Sequence, residues 1–188
     1  MTEPLRMFSV STPIGELRAV LRGERLVSLA FADTASRAGA DLSRRFGSAA
    51  SLGPARPRVT AALGRYFDGD LRALESIEID PGGTPFQRAV WDALREVPAG
   101  RTVFYGAIAR HIGLPTAARA VGAACGANPV WLAIPCHRAI GNDGRLVGYA
   151  GGIARKRWLL EHEGALPRPR GHDDEAGVLS SAAAFAQR

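Results

Sequence analysis

The sequence predicts an α+β chain, α/β in the broad sense. A small N-terminal domain with a three-stranded sheet and helices is followed by a mostly helical C-terminal domain containing a helix-turn-helix. Three observations predict it. Short apolar-rich runs, separated by glycine- and proline-containing turns, fill the chain as far as Phe31. A complete helix-start signal stands at Thr84-Pro85-Phe86-Gln87. A short helical pattern, a Gly-Leu-Pro turn and a second helical pattern of small residues then lie between Tyr105 and Ala127.

The elements follow in order. Leu5–Ser11, Glu16–Arg22 and Leu26–Phe31 are strand candidates, punctuated by Pro13 to Gly15 and by Gly23-Glu24. Helices are predicted near Ser36–Phe46 and Arg58–Phe67; the second puts Val59, Leu63 and Tyr66-Phe67 on one face and stops at Gly69. Gly82-Gly83 reads as a linker, giving domains at 1–82 and 83–164. Thr84 can cap the next helix, Pro85 suits its first turn and Gln87 completes a capping box. Phe86, Val90, Leu94 and Val97 recur at helical spacing beside Trp91, and Pro98-Ala99-Gly100 ends the run. Tyr105–His111 is a short helix, Ile112 to Pro115 a turn, and Thr116 a candidate cap for a helix reaching about Ala127. In that helix Ala117, Ala118, Ala120, Gly122, Ala123, Ala124, Gly126 and Ala127 are small, and Arg119 is the one long charged residue. Small residues permit close approach of a partner, which is either a nucleic-acid groove or the helix's own domain. A glycine-rich stretch from Gly141 to Gly152 surrounds Tyr149 and is too sparse for a phosphate-binding loop. Ile153–His162 is the last helix, stopped by Gly164, and 165–188 is expected to be a flexible tail.

Composition narrows the function. The 188 residues include two cysteines and no Cys-x-x-Cys pair, which argues against a disulfide framework or a structural zinc site. Met1 to Val10 has no long apolar stretch, so no secretory signal is expected. No run approaches the roughly 20 apolar residues of a membrane helix. A reactive thiol needs a reducing compartment, so a cytoplasmic location is expected. Charge is unevenly placed: residues 84–164 carry 10 Arg and Lys against 5 Asp and Glu, whereas residues 1–83 carry 11 against 10. Arginine supplies nearly all the excess and suits phosphate contact, though a basic solvated surface has the same composition.

The chemistry concentrates at Ile134-Pro135-Cys136-His137-Arg138-Ala139. A free thiol, with pKa of about 8.5, is only slightly ionised at pH 7. A neighbouring base or cation makes it a nucleophile. A buried structural cysteine is the alternative on the dipeptide alone.

From Gly83 to Gly164 the chain resembles the O6-alkylguanine-DNA alkyltransferase family of DNA repair. The resemblance rests on Thr84-Pro85-Phe86-Gln87, Val90-Trp91, Arg119-Ala120-Val121-Gly122, Asn128-Pro129, Ile134-Pro135-Cys136-His137-Arg138, Gly148-Tyr149, Gly151-Gly152 and Leu159 to Gly164. Residues 1–80 resemble the family's variable N-terminal domain more loosely. The resemblance implies that Cys136 accepts the alkyl group, that His137 is its base through a bound water, and that Glu163 orients and charges the imidazole. It implies that Asn128 braces the turns around the site and that Arg119 takes the place of an extruded nucleotide in the stack. It further implies that Tyr105 helps rotate the base and hydrogen-bonds it, that Tyr149 walls the pocket, and that the Ala139 carbonyl and the Ala150 N–H meet the base.

The implied function is stoichiometric transfer of the alkyl group from O6-alkylguanine in duplex DNA to Cys136, with nucleotide flipping and minor-groove binding. O4-methylthymine is a candidate second substrate. No cofactor and no metal are implied, each chain acts once, and a monomer is expected. There are departures: Ala139 stands where valine is usual, Ala150 where some members have serine, and Trp131 where a smaller residue is usual near the pocket mouth. The last puts bulky alkyl groups in question if the indole lines the pocket mouth; the alternative is that it turns inward and is simply core. No zinc-binding cysteine cluster precedes the domain, so the regulatory half of some relatives is not expected. Two other readings are a lesion-binding protein without transfer and a multiple-turnover cysteine hydrolase. Neither requires all of Cys136, His137, Glu163 and Arg119.

Overall fold

The computed structural model describes residues 3–34, 42, 44–47 and 50–166. Sheet and helices are both present, as the sequence predicts, in two compact units. The first is Met1–Gly82 with Pro129–Ala133; the second is Gly83–Asn128 with the chain from Ile134 onward. No helix among the described residues is long and apolar enough to cross a membrane.

In the first unit, β1 (Leu5–Thr12), β2 (Gly15–Arg22) and β3 (Arg25–Phe31) form an antiparallel meander. The sheet has a fourth strand that the sequence reading lacks. It is β4 (Ser51–Leu52), parallel to β1, and the order is β3-β2-β1-β4. Two residues carry no periodicity, so a strand this short is visible only once β1 offers it an edge. Register runs from Leu5 opposite Arg22 to Thr12 opposite Gly15, with an irregularity at Val20/Leu21 against β3. Leu26, Val27, Leu29 and Phe31 of β3 are all fully buried. Burial on both faces explains why β3 reads as a nearly continuous apolar run. Leu5, Val20, Val27 and Leu42 form one cluster. The helix α1 (Pro57–Phe67) buries Val59, Ala62, Leu63 and Tyr66 at helical spacing. Of the helix expected near Ser36–Phe46, Leu42 and Arg44–Phe46 are helical and the rest lies outside the described residues.

The outer edge of β3 is covered by single-residue bridges. Leu26 pairs with Ile79 and Leu29 with Val130, through Leu29 N to Pro129 O and Trp131 N to Leu29 O, both 2.9 Å. Of the two readings of Trp131, pocket mouth or core, this placement favours the core. Its indole is 6 % exposed and lies 5.7 Å from the Phe31 ring, tilted by 55°. Trp131 is core of the first unit, because the edge of β3 captures its backbone.

The second unit begins with α2 (Pro85–Glu96). Its capping box is complete: Gln87 N–H donates to Thr84 Oγ1 at 3.2 Å and Thr84 N–H to Gln87 Oε1 at 2.9 Å. Gly83 does more than link. A Cβ there would meet the Trp91 ring at 2.6 Å, so only glycine lets the chain pass the indole. Trp91 in turn donates Nε1–H to Ala124 O at 2.9 Å. Then come β5 (Val103–Phe104), α3 (Tyr105–His111) and α4 (Ala118–Gly126), the helix-turn-helix. Thr116 does not cap α4, contrary to the expectation. The N-cap is Ala117, with no side-chain bond, and the turn is closed by Ala117 N–H to Leu114 O at 2.9 Å. A 3-10 turn (Cys136–Arg138) leads into β6 (Ala139–Ile140), parallel to β5, and α5 (Ile153–His162) completes the unit.

Candidate active site

The site is built on the 3-10 turn and on one face of α5. Pro135 precedes the turn; Cys136 N–H reaches Ile134 O at 2.8 Å and Arg138 N–H reaches Pro135 O at 2.9 Å. Three consecutive polar side chains are thereby held in the interior. Cys136 is 4 % exposed, His137 0 % and Arg138 8 %. Such burial is tolerated only when each group has a partner.

Glu163 supplies most of those partners. It sits at the C-cap of α5, where Gly164 at φ 74° ends the helix. Gly164 N–H reaches Glu161 O at 3.2 Å and Ala165 N–H reaches Leu160 O at 2.8 Å, the paired bonds of a Schellman ending. That ending fixes the carboxylate. Its Oε1 lies 2.9 Å from His137 Nε2, and Arg138 grips it with Nε to Oε2 at 2.9 Å and one terminal nitrogen to Oε1 at 2.8 Å. The other terminal nitrogen of Arg138 donates to Val97 O at 2.6 Å. Burial opposes ionisation of Glu163, but His137 and Arg138 outweigh it and hold the carboxyl well below the usual range.

The imidazole follows from this. A carboxylate only accepts, so Nε2 carries the proton and Nδ1 is left as the basic nitrogen. Nδ1 is buried with no hydrogen-bond partner among the described residues. Burial pulls the imidazole's pKa down against the upward pull of Glu163, whose charge Arg138 already balances. Burial thus favours the neutral imidazole, with Nδ1 as its acceptor nitrogen.

Burial also pushes the Cys136 thiol up, the largest influence on it, while an Asn128 N–H and the Lys156 ammonium pull it down. Asn128 is 4 % exposed and donates from Nδ2 to both Ile134 O at 2.9 Å and Cys136 Sγ at 3.2 Å. It ties the sulfur to the end of α4, where Asn128 N–H bonds Cys125 O at 3.2 Å. The result is a protected thiol that ionises when a base takes its proton.

The structure thus brings Cys136, His137, Glu163 and Asn128 together. Tyr149 is buried against His137, with ring centroids 6.4 Å apart and planes at 78°. Tyr105 donates its hydroxyl to Val147 O at 3.2 Å, and burial pushes its phenol up. Ala139 is buried, and its carbonyl accepts from Lys156 Nζ at 2.5 Å. Ala150 lies exposed in the turn after Tyr149. Arg119 stands on the outward face of α4 with Ala120, Ala123 and Gly126, all exposed. A Cβ at Gly122 or Gly126 would meet nothing within 4 Å. The small residues on that face are therefore not explained by packing inside the unit. The sequence reading missed Arg138 and Lys156. The first was signalled by its place beside the Cys-His pair. The second is the one lysine among 24 basic residues, all the others being arginine.

These features define a buried cysteine beside an imidazole–carboxylate pair, on a chain that also carries a helix-turn-helix. The model of the 6-O-methylguanine DNA methyltransferase DNA-binding domain matches residues 85–165. A methylated-DNA–protein-cysteine methyltransferase of Mycolicibacterium paratuberculosis is 43 % identical over 159 residues, 82 % of this chain and 90 % of the relative. The protein of the same name from Salmonella typhimurium is 57 % identical over 104 residues, which span 55 % of this chain and 61 % of that relative's length. The crystal structure of the Mycobacterium tuberculosis O6-methylguanine methyltransferase superposes with a TM-score of 0.73 at 39 % identity, covering 89 % of this chain and 96 % of that one. The structure of that organism's protein in complex with DNA gives 0.72 at 41 %, covering 85 % and 92 %. The chain belongs to the O6-methylguanine-DNA methyltransferase family.

Proposed function

We propose that the protein repairs DNA by moving the alkyl group of O6-alkylguanine onto its own Cys136. The observation that carries this reading is the order of partners at the sulfur. A thiol braced by Asn128 is followed in the chain by a neutral imidazole, whose far nitrogen is bound to an ionised carboxylate. His137 Nδ1 takes the thiol proton through a water. The thiolate attacks the alkyl carbon in line, a C–S bond forms and the C–O bond breaks. The electron pair goes to the guanine oxygen, and the base regains a proton as it leaves. Thiol and O6-methylguanine thereby become S-methylcysteine and guanine. The imidazolium formed in the step is stabilised by Glu163, whose position Arg138 and the Schellman ending have set beforehand.

The target oxygen lies inside a duplex, so the nucleotide must be turned out of the stack. The outward face of α4 suits a minor-groove approach, with Arg119 filling the gap left by the base. Tyr105 hydrogen-bonds the base, and the Ala139 carbonyl and the Ala150 N–H contact its edge. A thioether is not readily reversed, so each chain acts once.

The test is the intact mass of the protein before and after incubation with a methylated duplex. One added methylene per chain, mapped to Cys136 and absent in Cys136→Ser, is expected. Cys136→Ser should still bind the duplex. Binding by the native protein without a mass gain would support a lesion-binding role instead, and repeated turnover would support a hydrolase.

A further inference from the structure

The single lysine of this chain is 0 % exposed. Among the described residues every basic side chain except Lys156 is an arginine, and the one compact ammonium lies in the interior. Burying that charge is costly unless its donors are used. Lys156 Nζ donates to Ala139 O at 2.5 Å and to Val147 O at 2.7 Å, and it lies 5.9 Å from the centre of the Tyr105 ring. Val147 O also accepts the Tyr105 hydroxyl. One cation thus joins three segments: β6 just after the Cys136 turn, the glycine-rich stretch before Tyr149, and the first residue of α3.

The placement on α5 is equally specific. Lys156 and Glu163 are seven residues apart, two turns, and so project from one face. Glu163 grips His137 and Arg138, and Lys156 grips Ala139. The four residues that carry the sulfur are therefore held by the same helix at two points. Ordinary stability does not require this arrangement, since apolar groups of similar volume often serve a core as well as buried charges do.

We propose that Lys156 is a positioning residue of the transfer reaction. Its buried ammonium pins Ala139 O and Val147 O, and through Val147 the Tyr105 hydroxyl, so that the wall receiving the base and the turn carrying the sulfur keep one geometry. The inference rests on the transfer reading above.

Single-turnover methyl transfer is followed by intact mass at saturating methylated duplex, in the full chain, with Lys156→Gln and Lys156→Met, both checked for folding by circular dichroism. A misplacement of the reacting groups by an ångström can cost roughly 100-fold. A loss of that order in the maximal rate is expected, with the half-saturating DNA concentration within about threefold of native. Tyr105→Phe supplies the discriminating readout. If Lys156 acts through Tyr105, the loss in the Lys156→Gln/Tyr105→Phe double variant should fall well short of the product of the single losses. Multiplicative losses, or maximal rates in folded Lys156 variants within about threefold of native, overturn the proposal.

A further measurement needs no substitution. Selective 15N-lysine labelling gives one side-chain ammonium signal. Bonding to two buried carbonyls should slow its exchange with water enough for detection at neutral pH, and a signal lost to exchange overturns the clamp. If the native protein transfers nothing, the proposed function fails while the protected ammonium remains. If it transfers and the folded variants match it, only the role of Lys156 fails.

Discussion

The cluster around Cys136 and the outward face of α4 lie in the same unit and are built on opposite principles. In the cluster, charge is buried and matched: Glu163 meets both His137 and Arg138, and Lys156 meets two carbonyls. On α4 the outward residues are small and exposed, and one arginine projects from among them. The first region is finished before any substrate arrives, as electrostatic preorganisation requires. The second has the open shape of a surface completed by a partner. Chemistry and recognition should therefore fail separately when each is damaged.

Breaking the cluster should have the largest effect. Glu163→Gln leaves the Arg138 cation buried with only part of its compensation. It should lower stability by about 3–5 kcal/mol, the usual range for removing one member of a buried pair. Denaturant unfolding measures this, and methyl transfer timed by intact mass should slow roughly 100-fold. The pH dependence has a definite sign. The folded carboxyl is held below its unfolded value, so its stabilisation is complete above the unfolded pKa of about 4.3 and is lost as pH falls through the folded value. The gap between native and variant should be widest near neutrality and narrow in acid. A constant gap would mean that the carboxylate does not carry the stabilisation.

Damage to α4 should be smaller and selective. Arg119→Ala should lose roughly 10- to 100-fold in rate on a methylated duplex, while its reaction with the free base O6-methylguanine stays close to native. Binding to the duplex should weaken as salt rises, because phosphate contacts release counterions. Equal losses on duplex and free base would erase the separation of the two regions.

The thiol itself sharpens the contrast without DNA. Burial pushes Cys136 up, so labelling by iodoacetamide should be slow at pH 7 and accelerate as pH rises beyond about 8.5. Asn128→Ala removes an N–H that favours the thiolate and should move that rise to higher pH. A native profile already flat at pH 7 would show that the sulfur is ionised at rest. The smallest effect on chemistry is expected from Trp131. Trp131→Ala should cost about 3–5 kcal/mol of stability as a core truncation. In the folded variant, the ratio of benzyl to methyl transfer should be unchanged. A raised ratio would return the indole to the pocket mouth.

The contrast also separates what was legible in the chain. Glu163, 26 residues away from His137, came only from the family resemblance. The Cys136-His137 pair and the complete box at Thr84 are local signals, because capping and adjacency act within a few residues. The meander β1–β3 was legible for the same reason, since two-residue loops fix antiparallel neighbours. Thr116 shows the limit of such signals: a residue of capping type was displaced because the backbone of Leu114 had already closed the turn.

By itself the sequence determined the mixed fold class, the order of the main elements, the helix-turn-helix and the adjacency of Cys136 and His137, all carried by periodicity, punctuation and neighbouring residue types; Glu163 was singled out only through the family resemblance. Tertiary structure alone decided that Val130 and Trp131 cover the edge of β3, that β4 exists, that Arg138 takes half of Glu163, and that the one lysine ends on the carbonyls of Ala139 and Val147. These depend on edges, buried acceptors and uncompensated charges, which come into being only when distant segments meet and water is excluded between them.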